Sequence, residues 1–200
     1  MSRVFARCFL AFALFAAVAG GVDAGEPIEW SQDVKLTPEH FRQKIPAAAA
    51  AGAHSWVGLD VSWECAEGTA RSRVRAVFDP ERSWWRGGAP NIWGGVEEGL
   101  SRSQLANRRT AAQRDDDLLR HERLHFDLTE LTARKIRKAL DGLPGVCAGG
   151  MGREGIENSI GRIEREWTAD QIRYDKETDH GTNAVKQRQW ELRVRRELGQ

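Results

Sequence analysis

Between Asp115 and Leu140 the chain carries one long run of helical periodicity, and two histidines fall on its stripe. At about 100° per residue, Leu118, His121, His125, Leu128, Thr132, Ile136 and Ala139 share a face. Arg120, Arg123, Arg134 and Arg137 lie away from the centre of that face. Asp115, Asp116 and Asp117 place negative charge at the positive end of the helix, and Gly142 and Pro144 follow its stop. A helix of this length with imidazoles on its apolar face fixes the centre of the fold. Everything else has to cover that face.

The preceding segments supply strands. Val57, Leu59, Val61 and Trp63 alternate with polar residues, and Val74, Ala76 and Phe78 alternate with arginines, so both read as half-buried strands. A short strand opens residues 29–46, and Thr37-Pro38-Glu39 reads as a turn or helix start. Ala47 to Ala53 is a small-residue linker, and residues 86–99 read as a Gly-rich loop or hairpin. Downstream, Ile156, Ile160, Ile163 and Trp167 predict a second helix over about 154–173. The polar stretch 174–183 then leads to a last helix over about 184–198. Strands first and helices later, without strand–helix alternation, predict an α+β domain.

Residues 1–24 (MSRVFARCFLAFALFAAVAGGVDA) have a basic start, an uncharged apolar run and small residues before position 25. They read as a secretory signal peptide, with an apolar run too short to span a bilayer comfortably. The expected mature domain is therefore 25–200, secreted or periplasmic, with no membrane association after signal removal. The whole chain has 30 Lys+Arg and 29 Asp+Glu; losing Arg3, Arg7 and Asp23 leaves them equal in number. Such a balance argues against a nucleic-acid partner, which calls for a basic excess. The mature chain keeps two cysteines, Cys65 and Cys147. In an oxidising compartment they are expected to form one disulfide.

The chemistry sits in His121-Glu122-Arg123-Leu124-His125, an H-E-x-x-H sequence inside the long helix. Residues four apart stack on one helical face, so both imidazoles reach one Zn²⁺. Glu122 then lies beside the metal and acts as general base for the attacking water. A catalytic zinc needs a third protein ligand. The extended metzincin form is absent, because Leu128 and Leu131 stand where it needs Gly and His. Three downstream candidates remain: His180, in a polar turn closed by Gly181, is ranked first, Asp175 second and Glu166 third. Tyr174, the one tyrosine of the chain, is a candidate stabiliser of the oxyanion. Ser83-Trp84-Trp85 and Trp93 read as core or loop anchors, with a substrate groove as the alternative role.

Residues 118–140 (LLRHERLHFDLTELTARKIRKAL) followed by 172–181 (IRYDKETDHG) resemble the family of predicted secreted bacterial Zn-dependent proteases catalogued as DUF922. Residues 36–46 and the strand through Ser62-Trp63 resemble the N-terminal part of that family. The resemblance implies a secreted, zincin-like hydrolase and brings no substrate. The expectation is a single zincin-like α+β domain that cleaves peptide or amide bonds in a peptide or protein substrate. Its metal is Zn²⁺ on His121, His125 and His180, with Glu122 and Tyr174 catalytic. The alternatives are a hydrolase of amide links in cell-wall peptides and a non-catalytic periplasmic zinc-binding or interaction module. Retention of Glu122 disfavours the module, since holding a metal needs no glutamate there.

Overall fold

The computed structural model describes residues 25–49, 51–66, 69–87, 110–141 and 152–200. The expected signal peptide, Trp93 and Cys147 lie outside these residues, as does the side chain of Cys65.

Among the described residues five strands precede three α-helices, so the α+β order holds. β1 (Ile28–Glu29), β4 (Thr69–Phe78) and β3 (Val57–Ala66) form an antiparallel sheet in the order β1-β4-β3. The register sets Val57 opposite Phe78, Leu59 opposite Ala76 and Val61 opposite Val74. The apolar members of both alternating runs thus share one face. On the other face Asp60 stands opposite Arg75, whose Nε donates to Asp60 Oδ2 at 3.1 Å. A separate two-stranded ribbon pairs β2 (Ala53–His54) with β5 (Trp84–Trp85). Thr37-Pro38-Glu39 opens a 3-10 turn over Pro38–His40 rather than a longer helix.

Helix α1 runs over Ala111–Asp141, four residues earlier than the acidic triplet predicts. A reciprocal cap explains the start. Gln113 N–H donates to Thr110 Oγ1 at 3.1 Å, and Thr110 N–H donates to Gln113 Oε1 at 2.8 Å. The helix is also buried more widely than one stripe. Leu119, Phe126, Ala133, Ile136 and Leu140 pack with Val61, Val74 and Phe78 of the sheet. Leu124, Leu128 and Leu131 pack on another side with Tyr174, Trp190, Val194 and Leu198. α1 is therefore the central layer, between the sheet and two further helices. Arg137 joins two of those layers: its Nε donates to the Val74 carbonyl at 2.9 Å, and its NH1 and NH2 donate to the buried Glu130.

α2 spans Gly152–Thr178 and α3 spans Ala184–Leu198. The bounds of α3 match the sequence expectation, whereas α2 runs about five residues further. Its inward stripe does not end at Trp167. Gln171, Tyr174 and Thr178 continue the spacing of Ile156, Ile160, Ile163 and Trp167, and Tyr174 and Thr178 are fully buried. The helix ends where Thr178 Oγ1 turns back to the Tyr174 carbonyl at 2.7 Å. The next three residues take left-handed backbone angles: Asp179 (φ 49°), His180 (φ 51°) and Gly181 (φ 87°). Asn183 then caps α3 through Lys186 N–H at 3.1 Å. Among the described residues no helix is long and apolar enough to cross a membrane.

Candidate metal centre

His121 and His125 sit one turn apart on α1 and project toward α2. His121 Nε2 and His125 Nε2 are 3.2 Å apart. Asp175, from the last turns of α2, completes a triangle: its Oδ1 is 3.1 Å from His121 Nε2 and 3.0 Å from His125 Nε2. These three residues can hold a metal ion. Zinc bonded at 2.0–2.1 Å in tetrahedral geometry sets neighbouring ligand atoms about 3.3 Å apart. The observed triangle is within a few tenths of an ångström of that spacing.

The outer nitrogens of both rings are also occupied. His121 Nδ1 lies 3.3 Å from Gln187 Oε1, and His125 Nδ1 lies 2.6 Å from Gln171 Oε1. An amide oxygen only accepts, so Nδ1 is the donor in each ring and each Nε2, with a lone pair or a second proton, faces inward. Two lone pairs and a carboxylate converging at such distances repel one another unless a cation or a proton lies among them. The donor set therefore fits zinc in number, in type and in spacing.

Without a metal, protons take that role. Burial pushes the His125 imidazole down, but the hydrogen bond to Asp175 and the charges of Glu122 and Asp175 outweigh it and leave its pKa raised. Burial pushes the Asp175 carboxyl up, but hydrogen bonds from His121 and His125 outweigh it. They hold the group well below the usual carboxylate range.

The sequence-predicted residues divide as follows. His121, Glu122 and His125 meet at one wall of a cleft, with the Glu122 side chain buried there. Asp175 takes the third corner of the triangle, where His180 was ranked first. The extension of α2 through Thr178 is the reason, since it carries Asp175 on an inward helical position instead of leaving it at a helix exit. His180 lies just outside, 70% exposed, with Nδ1 3.8 Å from Asp175 Oδ1. Glu166 is on the outer surface of α2, paired with Arg162 at 3.7 Å. Tyr174 is beneath the site rather than in the cleft. Its ring stacks on His121 at 4.6 Å between centroids, and its hydroxyl donates to Gln187 Oε1 at 2.9 Å. Burial raises its pKa well above the ordinary phenol value.

Gln171 and Gln187 are absent from the sequence expectations. Gln171 stands one turn before Asp175 on α2. Gln187 opens the buried stripe of α3, ahead of Trp190, Val194 and Leu198. A polar side chain on an otherwise apolar stripe was the signal for Gln187.

The cleft beside the triangle has a volume of about 1180 Å³. Trp56, Trp84, Leu118, Trp167 and Ile172 line it together with Ala48, Ala49, Ala51 and Ala53. Trp84 thus serves both packing and groove, while Trp85 meets Phe41 in a tilted contact with ring centroids 5.4 Å apart. Among the described residues no lysine or arginine lines this cleft. Gly181 backs the site from the other side, because a Cβ built on it would stand 2.9 Å from His121 Cβ.

A family described as bacterial protein of unknown function (DUF922) matches residues 97–181, which contain the H-E-x-x-H turn, Asp175 and Gly181. No curated protein and no solved structure matches the chain.

Proposed function

We propose that this chain, a member of the DUF922 family across residues 97–181, is an exported zinc-dependent hydrolase of peptide or amide bonds. The observation that carries the reading is the triangle of His121 Nε2, His125 Nε2 and Asp175 Oδ1 beside the cleft-facing Glu122. His121, His125 and Asp175 are the protein ligands. A zinc held there lowers the pKa of water and polarises the scissile carbonyl. Glu122 takes a proton from the attacking water and delivers it to the leaving amine. A metal-holding site alone has no use for a carboxylate at that position, which favours catalysis over a passive zinc module.

The remaining residues orient or contact. Tyr174 stacks under His121 and spends its hydroxyl on Gln187, so in this reading it positions the ring and leaves the oxyanion to another donor. His180, exposed at the rim and lining the same cleft, is the group that meets the substrate oxygen. A peptide or protein is the proposed substrate, since the cleft has room for an extended segment with apolar side chains against the indoles. The proposed location is secreted or periplasmic.

The test is to load the purified protein with zinc, bind it to equilibrium and map cleavage sites in a mixture of unfolded proteins. Glu122→Gln should retain the zinc and lose the cleavage. A protein that takes up no zinc, or a Glu122→Gln variant that still cleaves, would overturn the reading.

A further inference from the structure

Each imidazole of the triangle is held from behind by a glutamine, and the two glutamines come from different helices. Gln171 lies on α2 and Gln187 on α3. Their amides are not free to turn over. Gln171 Nε2 donates to the His125 carbonyl and to Thr129 Oγ1, both at 3.1 Å, which leaves its oxygen for His125 Nδ1. Gln187 Nε2 donates to Glu191 Oε1 at 3.2 Å, which leaves its oxygen for His121 Nδ1 and the Tyr174 hydroxyl. Glu191 is in turn held by Arg188 and Arg120. A two-helix support therefore determines which nitrogen of each ring carries the proton.

The geometry points to Gln171 and Gln187 as paired positioning residues that fix both imidazoles with Nδ1 protonated and Nε2 aimed at one metal ion. This rests on the zinc reading above and extends it to residues that touch neither metal nor substrate. Groups hydrogen-bonded behind a metal-bound imidazole set ring orientation and donor strength, and their loss typically weakens metal binding ten- to a hundredfold. Here the supports are neutral amides. They orient the rings without adding negative charge, so the imidazoles remain weaker donors than a carboxylate partner would make them. A weaker donor set leaves more of the ion's charge for its open position.

The experiment measures zinc affinity by chelator competition, and the visible spectrum of the Co²⁺-substituted protein, for wild type, Gln171→Ala, Gln187→Ala, Gln171→Glu and Gln187→Glu. Both alanine variants should lose about ten- to a hundredfold in zinc affinity and show a changed Co²⁺ spectrum. Both glutamate variants keep an oxygen acceptor for the ring but lose the amide donor, to the His125 carbonyl and Thr129 Oγ1 at position 171 and to Glu191 Oε1 at position 187, so their zinc affinity should fall between that of the alanine variants and wild type. Thermal unfolding of each metal-free variant guards against a folding defect, because Gln187 is buried and its truncation leaves a gap. Alanine variants with wild-type affinity and spectrum would overturn the positioning role while leaving the zinc site standing. A wild-type protein that binds neither ion would overturn both, so the two failures are distinguishable.

Discussion

Gly181 lies against His121 so closely that a methyl group there would stand 2.9 Å from His121 Cβ and 3.0 Å from Cγ. Gly181 also has φ 87°, a backbone angle that side chains disfavour. Gly181→Ala therefore brings two penalties, left-handed strain of about 1–2 kcal/mol and a clash with His121. The expected result is a lower melting temperature and at least a tenfold loss of zinc affinity, read by calorimetry and chelator competition. Unchanged values for both would show that the turn has room to move away from His121.

Asp175 and His180 should separate by what each substitution removes. Asp175→Ala deletes a corner of the triangle and should abolish tight zinc binding together with any hydrolysis. His180→Ala should keep zinc affinity within a few-fold of wild type and lower kcat. Glu166→Gln should change neither, because Glu166 faces outward beside Arg162. If His180→Ala loses zinc while Asp175→Ala keeps it, the ligand set reverts to three histidines.

The metal-free protein should prefer mildly acid conditions at this site. The raised His125 value means that its contribution is complete below about pH 6.5 and is lost as pH rises through the raised value. The lowered Asp175 value means that its contribution is complete above about pH 3.8 and is lost as pH falls through the lowered value. The pair is strongest between those limits. Asp175→Asn should thus lower the melting temperature of the metal-free protein more at pH 5 than at pH 8. Zinc should shift the balance the other way, since it displaces those protons and binds more tightly as pH rises. Equal effects of Asp175→Asn at both pH values would count against the ion pair.

Arg137 tests the scaffold apart from the site. Its guanidinium satisfies Glu130 and the Val74 carbonyl, and it stands roughly 18 Å along α1 from His125 at 1.5 Å per residue. Arg137→Ala leaves the buried Glu130 with Arg134 alone and should cost about 1–3 kcal/mol in denaturant unfolding. Zinc affinity of the folded variant should match wild type. A large loss of affinity would mean that the sheet-side anchor also sets the helix position at the metal.

Both long strands were legible because their faces differ sharply: Val57, Leu59 and Val61 alternate with polar residues, and one face of the sheet meets water. α1 was legible in existence and in its histidine stripe. Its start is not, because three aspartates suggest the helix pole while the reciprocal Thr110–Gln113 cap lies upstream. Its breadth of burial was missed because a single apolar stripe describes a surface helix, and α1 is covered from two sides. Which residue completes the triangle depends on where α2 ends. The run Tyr-Asp-Lys-Glu-Thr is polar enough to read as a linker, yet Tyr174 and Thr178 keep the inward spacing. Following that spacing would have placed Asp175 on the helix. The two glutamines carry a weaker signal, since hydrogen bonding to a ring from another helix depends on packing that spacing alone does not specify.

α2 carries Trp167 and Ile172 of the cleft wall, Gln171 behind His125 and Asp175 in the triangle, all within nine residues of one rigid rod. A ligand that fills the cleft and steadies this rod also steadies a corner of the ion's cage. Thermodynamic reciprocity then requires the converse by the same factor: the ion improves the fit of whatever occupies the cleft. If the triangle holds an ion and the cleft a substrate, capture of the one and retention of the other would in this sense be one equilibrium.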